Sequence, residues 1–184
     1  MPIQKITREE ILLKAQDVFR KQGYYHTSMN DLATACGLQK GSFYHYFPSK
    51  EALMKEILTS IQTYLEHSVN IIAYDETLSP TERLNKLLTK FGKVLLSQEG
   101  GCFIGNTTLE TAYHNPDFAE ILRGIFDDWI KALHYIFKTK YPTETAFRLA
   151  QQTVMEFEGA VMLTQIYKNQ QLLIDVYTRT MARL

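Results

Sequence analysis

Cysteine is nearly absent: Cys36 and Cys102 are the only two in 184 residues, so a disulfide framework is excluded and the chain reads as reduced and intracellular. The start, MPIQKITREE, lacks the apolar stretch of a secretory signal, in keeping with a cytoplasmic protein. Long hydrophobic runs are missing too. Segments such as Ala160-Val161-Met162-Leu163 fall far short of the roughly 20 residues a membrane span needs, and no membrane partner is expected. Charge of one sign is not in excess, since Lys+Arg and Asp+Glu each number 20. A coat of bulk positive charge around a polyanion is therefore excluded, and any nucleic-acid site must be local. Five prolines and nine glycines fall mostly between apolar-periodic stretches, and no stretch shows the alternation of a strand bounded by turn pairs.

What remains is 45% hydrophobic and 22% charged, enough apolar mass for a sizeable core. The expected fold class is all-α. Thr7 and Glu10 form a capping box before Ile11, Leu12, Ala15, Val18 and Phe19 at helical spacing, and Gly23 stops that helix. Ser28 and Asp31 open a second, which ends at Cys36-Gly37. A third spans about 39–47 and is stopped by Pro48. Ser49 caps a long helix reaching about Tyr74. Further helices are expected at about 80–97, 103–113, 115–138, 143–168 and 170–182.

Residues 28–47 have the form of a helix-turn-helix: two short helices, a glycine turn, and a second helix rich in exposed polar and aromatic groups. Steps of 100° put Gln39, Phe43, Tyr46 and Phe47 on one side and Lys40, Gly41, Tyr44 and His45 on the other. In a major groove Lys40 can donate to guanine or phosphate, and Gly41 allows close approach. Thr27, Ser28, Gln39, Ser42, Tyr44, His45 and Lys50 complete the candidate DNA contacts. The five histidines show neither H-x-x-x-H spacing nor a cysteine companion, so no metal site is expected. No cofactor is expected either, and no catalytic site, since neither His114 nor Asp117 is spaced to share a helical face with Cys102.

The stretch from Ile11 through Leu53 resembles the DNA-binding domain of TetR-type transcriptional regulators. The resemblance includes Leu32-Ala33, Cys36-Gly37-Leu38 and a G-x-x-Y-x-x-F-x-x-K-x-x-L ending at Gly41, Tyr44, Phe47, Lys50 and Leu53. It implies an N-terminal DNA-binding domain over 1–48 and a helical ligand-binding and dimerisation domain over 49–184. It also implies a homodimeric, non-enzymatic regulator of a palindromic double-stranded operator, most naturally a repressor, with a pendulum-like shift of the long helix coupling effector to DNA. In the helices that such regulators use for effectors, Phe91, Cys102, Phe103, Asn106, Glu110, Tyr113, Phe126, Trp129, Met155 and Met162 combine aromatic bulk with a few polar groups, pointing to an apolar or aromatic small molecule.

Gly100 through Glu110 is similar to the G-C-x-x-x-N start of the sixth helix in a subset of TetR-type regulators, some of which sense electrophiles or oxidants. That gives Cys102 two readings, an ionised sensor thiol at a helix N-terminus or a packed residue. In the last two helices Ala150, Val154, Phe157, Val161, Leu172 and Val176 exceed what one small domain needs to bury and are expected at a homodimer interface. Two other classes stay open: a helical enzyme or carrier with a vestigial head, and a DNA-binding adaptor regulated by a protein partner.

Overall fold

Several of the helices begin where a side chain takes up the free amides of the first turn. The computed structural model describes residues 6–96 and 100–184. In α1 (Arg8–Gln22) Thr7 and Glu10 exchange the two hydrogen bonds of a capping box, and Gly23 ends the helix at φ +79°. Ser28 and Asp31 repeat the box before α2 (Met29–Ala35). The short α3 covers Lys40–Tyr46. Ser49 caps α4 (Lys50–Tyr64) through the amide of Ala52.

Beyond Tyr64 the chain departs from the expected continuous helix. Leu65–Val69 makes a π turn and Asn70–Tyr74 a 3-10 turn, so the α-helical ladder breaks ten residues early. Residues α5 (Pro80–Leu96) follow Ser79, which shares a reciprocal bond pair with Glu82, while Pro80 takes the first-turn position that needs no amide. Next come α6 (Phe103–Thr111), α7 (Pro116–Phe137), α8 (Thr143–Tyr167) and α9 (Gln171–Met181). Asn115 caps α7 through the amide of Phe118. Lys168 ends α8 in the left-handed conformation, at φ 51°. The end of the helix expected at 80–97 lies outside the described residues.

Packing divides the chain into two compact units. One holds the chain up to Ile61 together with Asn106–Leu122, and the other holds Gln62–Gly105 with Arg123–Leu184. The division thus places the first turns of α4 and the segment Asn106–Leu122 with the N-terminal helices. In the first unit Ile11, Leu32, Phe43, Phe47, Leu53 and Leu58 are fully buried. Burying side chains of this size contributes roughly 1.5–3 kcal/mol each. The core of the second unit draws on Leu84 and Leu87 of α5, Leu133 and Phe137 of α7, and Ala146, Ala150 and Phe157 of α8. No helix among the described residues is long and apolar enough to cross a membrane.

Candidate functional site

The turn from α2 to α3 follows from one glycine. Gly37 stands at φ +68°, where a side chain would be strained, and this lets the amide of Leu38 return to the carbonyl of Ala33 at 2.9 Å. The chain is thereby reversed in four residues, and α3 is held by Phe43 and Phe47, both fully buried. With those rings inward, Gln39, Lys40, Gly41, Ser42, Tyr44 and His45 are all exposed. Gln39 precedes α3 without a capping bond, so its amide group is not spent on the helix. Nothing lies within 4 Å of where a side chain on Gly41 would begin, leaving the backbone of α3 open to close approach. The resulting surface offers one cation, two hydroxyls, an imidazole and an amide around a bare helical turn, a set suited to base edges and phosphates.

Three of the expected DNA contacts are placed differently. Thr27 is only 2% exposed, and its hydroxyl donates to the carbonyl of Gly23 at 2.6 Å. The Lys50 ammonium donates to the carbonyls of Tyr24 and Thr27, at 2.7 and 2.8 Å, and sits 4.4 Å from the Tyr24 ring centre. Lys50 is half-buried, which lowers its pKa, and its two carbonyl bonds make the ammonium a strut rather than a cation offered outward. Ser28 remains exposed, but its hydroxyl is engaged with Asp31 at 2.7 Å, and a phosphate there would meet that carboxylate. Sequence spacing located these residues correctly and could not say which tertiary partner each would find.

The second unit carries an aromatic cluster. Trp129 stacks on Phe91 with ring centres 4.3 Å apart and 19° between planes, and lies 6.2 Å from Phe157. The Trp129 indole N–H is buried without a hydrogen-bond partner. Phe103 is buried and Phe126 half-buried. The remaining candidates for effector contact are not gathered there. Asn106 is exposed, as are Tyr113 at 93%, Met155 at 65% and Met162 at 58%. Glu110 belongs to the first unit, where both its oxygens accept backbone amides.

Cys102 sits where the sequence puts it, immediately before α6, and its Sγ accepts from the amide of Gly105 at 3.3 Å. The environment, however, opposes ionisation. Burial, followed by the nearby charge of Glu158, pushes the thiol up to about 12, which favours the packed reading of Cys102 over the ionised sensor thiol. Glu158 is the residue that sequence reasoning missed. A side chain on Gly105 would start 2.5 Å from its Oε2, Cys102 hydrogen-bonds to it, and its Oε1 is buried without a partner. The signal that could have found it is the pair of acids, Glu156 and Glu158, inside the otherwise apolar stretch from Val154 to Leu163.

The expected dimer residues need a parallel correction. Ala150, Val154, Phe157, Val161 and Val176 are buried within a single chain and Leu172 is half-buried, so they form internal packing rather than an outer face. Exposed apolar residues include Phe147, Met155, Met162, Leu163, Ile166 and Tyr167 of α8 and Ile174 of α9. Positions 155, 159, 162 and 166 fall on one helical stripe, with Gly159 flat among them. The apolar surplus was legible, but not the rotation of α8 that decides which residues face out.

These features agree with the comparisons. Residues 80–179 match the C-terminal domain described as "Transcriptional regulator LmrA/YxaF-like". A repressor from Mycobacterium sp. (strain GP1), "HTH-type transcriptional repressor DhaR", is 27% identical over 170 residues, covering 89% of this chain and 85% of its own. A TetR transcriptional regulator from Legionella pneumophila superposes with a TM-score of 0.86 at 25% identity, covering 98% and 97% of the two chains. AibR, solved in complex with isovaleryl coenzyme A and operator DNA, shares the fold at a TM-score of 0.71 and 18% identity, over 96% and 97%. Residues 11–57 match "Bacterial regulatory proteins, tetR family", and the chain belongs to that family of DNA-binding transcriptional regulators.

Proposed function

We propose that the chain is a homodimeric repressor that binds a palindromic operator through residues 1–48 and releases it when a small apolar or aromatic molecule occupies residues 49–184. The observation that carries this reading is the exposed face of α3, where Lys40, Gly41, Ser42, Tyr44 and His45 stand clear of a core closed by Phe43 and Phe47. A palindrome calls for two heads, and the stripe of Met155, Met162 and Ile166 with Ile174 supplies an apolar face for a second copy. Between α8 and α9 this face opens a groove of about 240 Å³, bordered by Met155, Leu163 and Leu172 and by Glu156, Asp175 and Arg179. The rim charges are paired within the chain, Glu156 with Arg183 at 2.8 Å and with Arg179 at 3.8 Å, so the apolar stripe carries the argument for a second copy. The stack of Phe91 on Trp129 supports an aromatic effector, and the unpartnered indole N–H suits one that carries an acceptor. Such a protein works in the cytoplasm, beside its DNA.

The test is a gel shift of the purified protein with duplexes from its own upstream region, repeated with a library of aromatic compounds. A shift reversed by a compound is expected. A shift that no compound but only a protein fraction reverses would favour the adaptor reading, and no shift on any duplex would sink the proposal.

A further inference from the structure

The turn joining α1 to α2 is held by side chains from two other helices. Glu110, on α6, accepts the amide of Tyr24 on Oε2 and that of Tyr25 on Oε1, both at 2.8 Å. Lys50, on α4, takes the carbonyls of Tyr24 and Thr27. The Tyr24 ring meets Phe118 edge-on at 5.3 Å. Glycine permits this arrangement at position 23: the backbone stands at φ +79°, and a side chain there would begin 3.0 Å from the Glu110 carboxylate. Two amides on one carboxylate fix both its position and its orientation, as a single bond would not. With both oxygens committed, the carboxylate is not free to greet an effector.

We propose that Glu110 is a positioning residue for operator binding. By gripping the amides of Tyr24 and Tyr25 it fixes the turn from which α2 starts, and so sets the angle at which α2 and α3 are presented to DNA. Thr27 transmits the constraint, since its hydroxyl ties the start of α2 back to Gly23 at 2.6 Å. The position of α6 then becomes an input to the head, because displacing that helix pulls directly on the backbone before α2. This rests on the operator-binding reading above and adds the residue through which α6 would act.

The experiment compares wild type with Glu110→Gln, which keeps the shape but replaces one acceptor oxygen by an NH₂ that cannot take an amide, and with Glu110→Ala. Hydrogen exchange over residues 20–28, binding to an upstream palindrome and to a random duplex, and thermal melting are measured together. In Glu110→Gln the amides of Tyr24 and Tyr25 should exchange at least about tenfold faster, and the operator Kd should rise about tenfold. Binding to random DNA should change by less than about twofold, because phosphate contacts tolerate a misaligned head that sequence readout does not.

Equal losses on both duplexes with a lowered melting point would mean general destabilisation and overturn the proposal. Unchanged operator binding with deprotected amides would overturn it as well, and so would amides that stay protected. If wild type binds no duplex, the operator-binding reading falls and takes this one with it. A wild type that binds beside an unaltered Glu110→Gln removes the positioning role alone. Should Glu110→Ala fail to fold, Glu110→Gln carries the test.

Discussion

Arg8 forks onto Glu56: its Nε and Nη2 donate to the two carboxylate oxygens, each at 2.6 Å. The third guanidinium nitrogen donates to the carbonyl of Tyr46 at 3.0 Å, and the group lies 4.2 Å over the Phe47 ring. One side chain thus ties the first turn of α1 to the end of α3 and the middle of α4. Nothing in the local sequence announces this. Arg8 reads as one more charge in a first turn, and Glu56 as one more on an exposed helix face.

The Glu56 carboxyl is held below its usual pKa, chiefly by the hydrogen bonds from Arg8. A carboxyl depressed in the folded state contributes stability above its unfolded pKa, about 4.3, and that stability is lost as pH falls through the lower folded value. Because the side chains are 49% and 36% exposed, the contribution is screened to about 1 kcal/mol or less. Glu56→Gln should therefore lower the melting point slightly at pH 7 and flatten its fall below about pH 4.3. Equal acid sensitivity in mutant and wild type would contradict this.

On the reading face, Gly41→Ala separates folding from binding. The site has open space and a helical backbone, so alanine should stabilise the helix by about 0.5–1 kcal/mol. The added methyl stands on the surface proposed to approach DNA, so operator affinity should fall while the melting point rises. Denaturant titration and fluorescence anisotropy on one preparation give both numbers, and a mutant that binds operator as well as wild type would move the groove contact away from Gly41.

Lys40→Ala should cost about 1–3 kcal/mol on operator if the ammonium reads a base edge, with relaxed preference at one base pair per half-site. Tyr44→Phe should weaken operator and random DNA alike, because a phosphate contact carries no sequence information. Lys50→Met differs from both. Its ammonium is spent on two carbonyls, so it should lower stability without reducing the salt dependence of DNA binding.

For assembly, Ile166→Glu or Met162→Glu should yield a folded monomer in sedimentation, since each puts a charge on the exposed stripe without disturbing the core. Val161→Glu should unfold the chain instead, because Val161 is already buried within one copy. A dimeric Ile166→Glu would place the interface on another face.

The thiol of Cys102, pushed up to about 12, should react with iodoacetamide at pH 7.5 far more slowly than free cysteine, whose pKa is about 8.5. The sign for stability follows: a group raised on folding favours the folded state below its unfolded pKa, and that advantage drains away as pH climbs from about 8.5 towards the folded value. Glu158, also raised by burial, makes neutral pH costly, so Glu158→Gln should melt higher than wild type at pH 7. A fast-reacting Cys102, with a rate that levels off below about pH 8, would restore the sensor reading.

The helix starts were legible because their causes are local. Thr7 with Glu10 and Ser28 with Asp31 are each three residues apart, and each pair bonds as the spacing predicts. The recognition helix was legible for the same reason, with Gly37 before it and Pro48 after it. What escaped was every feature decided by partners far along the chain. Lys50 finds carbonyls 23 and 26 residues back, and Glu110 finds amides 85 and 86 residues away. The break after Tyr64 carries neither glycine nor proline, so no punctuation marks it. The rotation of α8 was hidden too, since an apolar surplus tells how much must be covered and not in which direction it points.

The π and 3-10 turns after Tyr64 have a mechanical meaning. A helix behaves as a stiff crankshaft only while its ladder of i to i−4 bonds is unbroken, and α4 keeps that ladder for 15 residues, about 22 Å. Over the next ten residues the winding loosens and then tightens, so a twist applied beyond them reaches Tyr64 altered in phase, or is taken up as a change of pitch. The α-helical arm that follows α3 is therefore only 15 residues long, and the ten residues beyond it wind at a different pitch.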